Sequence, residues 1–145
     1  YLPEREAEFG RTFIAGVKTG WKMTPEAWGR SAALRAQLND WCAQTFDQFD
    51  LIVTPTVPYD PPPAKGPFPS ETDGRPQAFA GVASFTIPFN LSGHPAASVR
   101  AGLSKAGLPI GMQIVGPRHR DDLVLQVARA FERERPWHPH WPTSW

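Results

Sequence analysis

The sequence predicts an α/β fold in which helices cover short apolar strands. Apolar residues recur at helical spacing in three segments, and short β-branched or alternating runs lie between them. Helices that alternate with short buried strands favour a layered α/β arrangement. With 145 residues, of which 41% are hydrophobic and 20% charged, the chain is long enough for one domain or part of one.

The first predicted helix runs from Pro3 to Lys18, because Phe9, Phe13 and Val17 recur on one helical face. The second begins at Thr24, Pro25 and Glu26, which supply a cap, a first-turn proline and a first-turn carboxylate. Its expected inward stripe consists of Ala27, Ser31, Leu34, Leu38, Trp41, Cys42 and Thr45.

The last predicted helix opens at Asp121 and Asp122 and ends before Pro136. Arginines near its end place positive charge at the negative, C-terminal end of the helix dipole, which is favourable. Its apolar stripe consists of Leu123, Val124, Val127 and Phe131.

Three strands are predicted. Leu51 to Thr54 is a β-branched run closed by Pro55, which indicates a buried strand. Pro95 to Val99 and Pro109 to Val115 follow, and the nine residues between them allow an antiparallel pair. The apolar stretch from Ala78 to Leu91 contains Pro88, so we expect one or two helical turns there at most.

A proline-rich loop is predicted from Pro55 to Pro76, residues 55–76. Proline fixes its own backbone and cannot donate a backbone hydrogen bond, so this segment should contain neither a helix nor a central strand. We expect extended chain on the surface, and loops of this length are typically functional or mobile.

Composition excludes several classes of protein. Fifteen Lys plus Arg against fourteen Asp plus Glu give a formal charge of +1, without the dense basic face that nucleic-acid binding needs. No apolar run is long enough to cross a membrane. The single cysteine, Cys42, lies at an apolar helical position and fits a reduced, cytoplasmic setting.

The residues do not assemble into a recognisable catalytic set. None of the serines lies in a Gly-x-Ser-x-Gly turn, and His94, in Ser92-Gly93-His94-Pro95, is expected simply to hydrogen-bond the backbone. His138 and His140 lack a third ligand at zinc-like spacing, so we predict no metal site. Phosphate-binding glycine motifs are also absent, and we predict no cofactor.

Three stretches, in order and correctly spaced, resemble the amidase-signature family: FDLIVTPTVP from Phe49 to Pro58, FTIPFNLSGHPAASVRAGLSKAGLPIGMQIV from Phe85 to Val115, and GPRHRDDLVLQVARAFE from Gly116 to Glu132. The resemblance extends from about Gly20 onward. Glycines at 93, 107 and 111 fall where a turn or a close strand approach leaves no room for a side chain.

The resemblance implies that residues 1–145 are the C-terminal segment of one domain, an α/β/α sandwich around a mixed sheet that these residues alone leave incomplete. It also implies hydrolysis of a carboxylic amide through an acyl-enzyme by a Ser/cis-Ser/Lys triad. The family's Gly/Ser-rich motif has no counterpart here, and Lys18, Lys22, Lys65 and Lys105 do not match its lysine. We therefore expect no catalytic residue in this segment, no activity from it alone, and catalytic residues in chain that precedes Tyr1.

The expected contribution of this segment is the wall of the substrate pocket, since α/β folds place ligand contacts in loops at strand ends. These residues alone should expose the sheet edge that the missing strands would meet, so we expect the isolated segment to associate with itself. A homodimer is a separate expectation. The candidate substrate-binding residues are Thr54, Pro55, Thr56, Phe85, Thr86, Asn90 and Gln113.

Arg100 stands where many family members have proline. We expect this guanidinium to be exposed to solvent, and the alternative is that it attracts an acidic substrate.

Two further functions stay open. The chain could belong to the amidase subunit of a glutamyl-tRNA(Gln)-type amidotransferase, which passes ammonia to a partner subunit. It could also be a non-catalytic, partner-binding module derived from the amidase fold.

Overall fold

The computed structural model describes residues 1–77 and 81–137, and the chain divides into two compact units, 1–37 and 38–145. Helix α1 spans Arg11–Gly20 and α2 spans Pro25–Phe46. Strands β1 (Ile52–Pro55), β2 (Glu71–Thr72) and β3 (Arg75–Pro76) follow. Helix α3 (Ile87–Ser92), strands β4 (Ala96–Leu103) and β5 (Pro109–Val115) and helix α4 (Asp121–Glu134) complete the order.

The first helix begins later than predicted. A short 3-10 turn covers Glu6–Glu8, and Gly10 then takes an extended backbone, so α1 starts at Arg11 rather than near Pro3. Phe9 therefore precedes the helix and stacks on Phe13, with ring centroids 5.3 Å apart. Phe13 is nevertheless 55% exposed, so the predicted apolar face is not buried along its length.

Helix α2 begins where predicted, because the Thr24 hydroxyl accepts a hydrogen bond from the Ala27 amide at 3.2 Å. Its apolar stripe is buried only near the C-terminal end, where Cys42 is fully buried while Leu34 is 64% exposed. Cys42 packs with Phe89 and Val115, whereas the residues of the stripe before Leu38 belong to the other compact unit.

Strands β1, β5 and β4 form an antiparallel three-stranded sheet in that order. The predicted pairing of β4 with β5 is confirmed, although β4 extends to Leu103 and has a bulge between Arg100 and Gly102. The prediction of a buried first strand is wrong: β1 lies at the edge of this sheet and Val53 is 56% exposed. A strand paired on one side only has an open edge.

The proline-rich loop contains neither a helix nor a central strand, as predicted. Its regular part is a small hairpin of β2 and β3, joined by Asp73 and Gly74, which both have positive φ. Two residues at positive φ are typical of a tight hairpin turn. The segment before β4 also agrees with prediction, since it contains a 3-10 turn at Gly81–Ala83 and the short helix α3. Ala78 to Ala80 lie outside the described residues.

The core lies on both faces of the sheet. On one face Val115 packs with Cys42 of α2 and Phe89 of α3. On the other face Ile114 packs with Val99 and with Val124 of α4, which confirms the stripe predicted for that helix. Successive side chains of β5 thus alternate between two helical layers. None of the helices in residues 1–77 and 81–137 has the length and hydropathy required to span a bilayer.

Candidate functional site

Three of the predicted site residues meet where β1 ends. Thr54 and Gln113 are cross-strand partners. The Gln113 side chain, only 4% exposed, donates from Nε2 to Thr54 Oγ1 at 2.9 Å and to the Phe85 carbonyl at 3.0 Å. The Thr54 hydroxyl in turn donates to the Pro55 carbonyl at 2.9 Å. Gln113 therefore joins β1, β5 and the turn before α3.

A pair of hydroxyls lies beside this junction. Thr56 Oγ1 and Ser98 Oγ are 2.6 Å apart, and the Thr56 amide donates to the Gly111 carbonyl at 3.0 Å. A Cβ atom at Gly111 would lie 2.7 Å from Thr56 Oγ1 and 2.9 Å from Ser98 Oγ. Glycine at this position thus permits the close approach expected from the sequence. Ser98 is not among the predicted site residues, because only the pairing of β4 with β5 brings it here.

The other predicted residues make local contacts. Pro55 is exposed at the end of β1 and is the cross-strand partner of Met112. The Thr86 hydroxyl donates to the Ala83 carbonyl at 3.3 Å, and the backbone amide of Asn90 donates to the Thr86 carbonyl at 3.2 Å. Asn90 is exposed on α3. The structure thus joins Thr54, Phe85 and Gln113 directly, whereas substrate contact by any candidate stays a prediction.

A second group of polar side chains, Ser92 and His94, lies at the other end of strands β1 and β5. Ser92 Oγ lies 2.8 Å from His94 Nδ1, and the imidazole stacks on Phe46 with centroids 5.1 Å apart. The expectation that His94 bonds only the backbone is wrong, because its partner is a side-chain hydroxyl. Burial, together with the positive charge of Arg118, lowers the pKa of His94.

The Ser92 and His94 pair does not have the accessibility of a nucleophile with its base. Ser92 is 2% exposed, so a substrate cannot reach its hydroxyl in this structure. Nearby, a cavity of about 300 Å³ lies next to His94, and its lining residues are Asn39, Ala43, Phe46, Asp47, His94, Pro117 and Arg118.

The expectation that Arg100 is a solvent-exposed cation is wrong. Arg100 is partly buried, and its Nη2 lies 3.5 Å from the Pro136 carbonyl. Its Nε is buried and has no hydrogen-bond partner within the described part of the chain. His138 and His140 lie outside the described residues.

Comparison with known proteins identifies relatives of this chain. The Amidase family profile matches residues 6–125, which begins earlier than the resemblance near Gly20. The chain is 42% identical over 99 residues to a 6-aminohexanoate-cyclic-dimer hydrolase of Paenarthrobacter ureafaciens, a match that covers 61% of this chain and 20% of the relative. It is 38% identical over 142 residues to the A-subunit of the glutamyl-tRNA(Gln) amidotransferase of Pseudothermotoga lettingae. That match covers 94% of this chain and 29% of the relative.

A solved structure agrees with these matches. A bacterial aryl acylamidase of the amidase-signature family superposes with a TM-score of 0.79 at 30% identity, over 96% of this chain and 29% of that chain. The mixed helix and sheet arrangement is therefore part of the amidase-signature fold, and the chain spans between a fifth and a third of the length of these relatives. The chain belongs to the Amidase family.

Proposed function

We propose that this chain is part of an amidase, which hydrolyses a carboxylic amide to an acid and ammonia or an amine through an acyl-enzyme. The catalytic residues belong, in this proposal, to another part of the full-length protein. Family membership and the matches to a hydrolase and an acylamidase structure support the reaction type.

The observation that carries the proposal for this segment is the junction formed by Gln113. Its amide holds Thr54, at the end of β1, and Phe85, before α3, at the same point of the sheet. Ligand contacts in α/β folds concentrate at such strand ends. The junction therefore supports a wall of a substrate pocket built by residues 54–56 and 85–90.

The geometry suggests different roles within this wall. Gln113 is buried and its hydrogen bonds to Thr54 and Phe85 are internal, so it fits a positioning role. Pro55 and Asn90 are exposed, and Thr56 and Thr86 are partly exposed. In the proposal these four contact the amide substrate, with the Thr56 hydroxyl and the Asn90 side-chain amide as the hydrogen-bonding groups.

The test is hydrolysis by the purified full-length protein. We expect release of ammonia or amine from a panel containing an aryl anilide, a simple primary amide and a linear or cyclic amide of an ω-amino acid. The isolated 145-residue segment serves as the control and is expected to be inactive. Absence of hydrolysis of every panel member would contradict the proposal and favour the non-catalytic binding module.

A second candidate is the amidase subunit of a tRNA-dependent amidotransferase. Its support is the match to the Pseudothermotoga lettingae amidotransferase, which extends over 94% of this chain. In that case the full-length protein should co-purify with a partner subunit and release ammonia from glutamine only when the partner is present. Hydrolysis of simple amides by the protein alone, with no partner retained, supports the first candidate instead.

The proposed setting is the cytoplasm, with a small-molecule amide as the ligand, no nucleic acid, and a homodimer as the expected assembly. Cys42 is a free, fully buried thiol, which is compatible with a reducing compartment. The edge of β1, open in these 145 residues on their own, supports self-association of the isolated segment.

A further inference from the structure

Helix α3 ends at Ser92 with a carbonyl that the helix itself cannot satisfy. The amides of Gly93 and His94 both donate to the Phe89 carbonyl, at 2.9 and 3.2 Å, which leaves the Ser92 carbonyl for another donor. Arg118 fills this role: Nε donates to the Ser92 carbonyl at 2.9 Å and Nη2 donates to it at 2.6 Å. A cation is favourable at a helix C-terminus.

The same guanidinium also reaches α2. Arg118 Nη2 donates to Asn39 Oδ1 at 2.7 Å. One side chain in the loop after β5 therefore fixes the end of α3 and contacts α2. Hydrogen bonds from a charged donor are roughly twice as strong as neutral ones, and the planar guanidinium fixes their directions.

The other end of the α3 segment is fixed from the same strand. Gln113, within β5, donates to the Phe85 carbonyl, while Arg118 follows β5 and donates to the Ser92 carbonyl. Between them Phe89, 5% exposed, packs against Val115. Residues 85–92 are thus held at both ends and in the middle by β5 and the loop after it.

We infer that Arg118 is a positioning residue for the substrate pocket, acting through the end of α3 that lies away from the pocket wall. This inference rests on the proposed function, because it assigns the α3 segment to the substrate wall. Loss of the guanidinium releases the C-terminal end of α3, so Asn90, two residues before Ser92, is no longer held in one place, whereas Thr86 stays next to the bond between Gln113 and Phe85. The consequence is weaker substrate binding with little change in the chemical step.

The test compares Arg118→Met with Arg120→Met in the full-length protein. Arg120 is in the same loop but forms an exposed ion pair with Asp122, with 52% of its side chain accessible, so it is the matched control. We expect KM of R118M to rise about tenfold with kcat within about twofold, because a hydrogen bond to a charged group contributes roughly that factor. R120M is expected to behave as the wild type.

Chemical rescue separates positioning from a general loss of structure. Added methylguanidinium should lower KM of R118M toward the wild-type value and leave R120M unchanged. Should R118M fail to fold, Arg118→Lys takes its place, since one ammonium cannot reproduce the paired donation to Ser92 and the bond to Asn39. Equal kinetics for the Arg118 variant and R120M, or no rescue by methylguanidinium, would overturn the inference.

Amide hydrogen exchange tests the same restraint without any activity. The amides of Gly93 and His94 are expected to exchange about tenfold faster in the Arg118 variant, because the end of α3 opens more often. Unchanged exchange at these amides overturns the role of Arg118 even when the enzyme is active. Faster exchange in a protein that hydrolyses no amide would instead contradict the proposed function alone.

Discussion

Replacing Ile114 by alanine is expected to lower the free energy of unfolding by about 3 kcal/mol, which is typical of a buried isoleucine shortened to alanine. Ile114 is 1% exposed and packs with Val99 and Val124, on the face of the sheet that α4 covers. The lost methyl and methylene groups leave a cavity that the strand and helix cannot close without moving. Urea denaturation followed by circular dichroism measures the difference.

Leu125→Ala provides the matched control. Leu125 is on α4 and of the same size, but it is 65% exposed. Its replacement is expected to change the free energy of unfolding by less than about 0.5 kcal/mol. A loss of stability in Ile114→Ala as small as that expected for Leu125→Ala would show that Ile114 is not part of a packed core.

Replacing Gln113 by methionine is expected to cost about 2 kcal/mol of stability and to raise KM for the amide substrate. Methionine preserves the length of the side chain but cannot donate to Thr54 Oγ1 or to the Phe85 carbonyl. A buried acceptor left without a donor costs roughly 1–3 kcal/mol. Urea denaturation and steady-state kinetics of the full-length protein check the two effects.

A double-mutant cycle with Thr54→Val isolates the bond between these two side chains. In the Thr54→Val background, Gln113→Met is expected to cost about 1 kcal/mol less than in the wild type, because residues that share a hydrogen bond are coupled. Strictly additive costs would mean that the contact between Thr54 and Gln113 contributes nothing to stability. The remaining cost in that background reports the bond to the Phe85 carbonyl.

Sequence signals predict the elements of this fold best where several of them coincide. Strand β5 has the predicted limits because Gly116 and Pro117 stop it, and α4 begins at the predicted Asp121. The predicted start of α1 is wrong since Gly10 is extended in the structure, whereas periodicity alone continues the helix through it. Periodicity also identifies the apolar face of α2 without indicating that Cys42 is fully buried while Leu34 is largely exposed.

The candidate site is predictable only in part, because some of its contacts join residues that are far apart in the sequence. Resemblance selects Thr54, Phe85 and Gln113, and the structure brings them together. Ser98 is not predicted because its partner, Thr56, is 42 positions away, and only the strand register places their hydroxyls in contact. Arg118 is not predicted for the same reason, since its acceptors Ser92 and Asn39 come from two other elements.

The complete burial of Cys42 has a practical consequence, because it makes the thiol a reporter of opening between α2 and the sheet. Cys42 is 0% exposed and packs with Phe89 and Val115, so a disulfide reagent can reach it only when these layers separate. In the 145-residue chain, which has no other cysteine, labelling by Ellman's reagent should be much slower than in urea. Labelling as fast in buffer as in urea would show that the thiol is accessible in the folded chain, and slow labelling would make its rate a direct measure of how often this core opens.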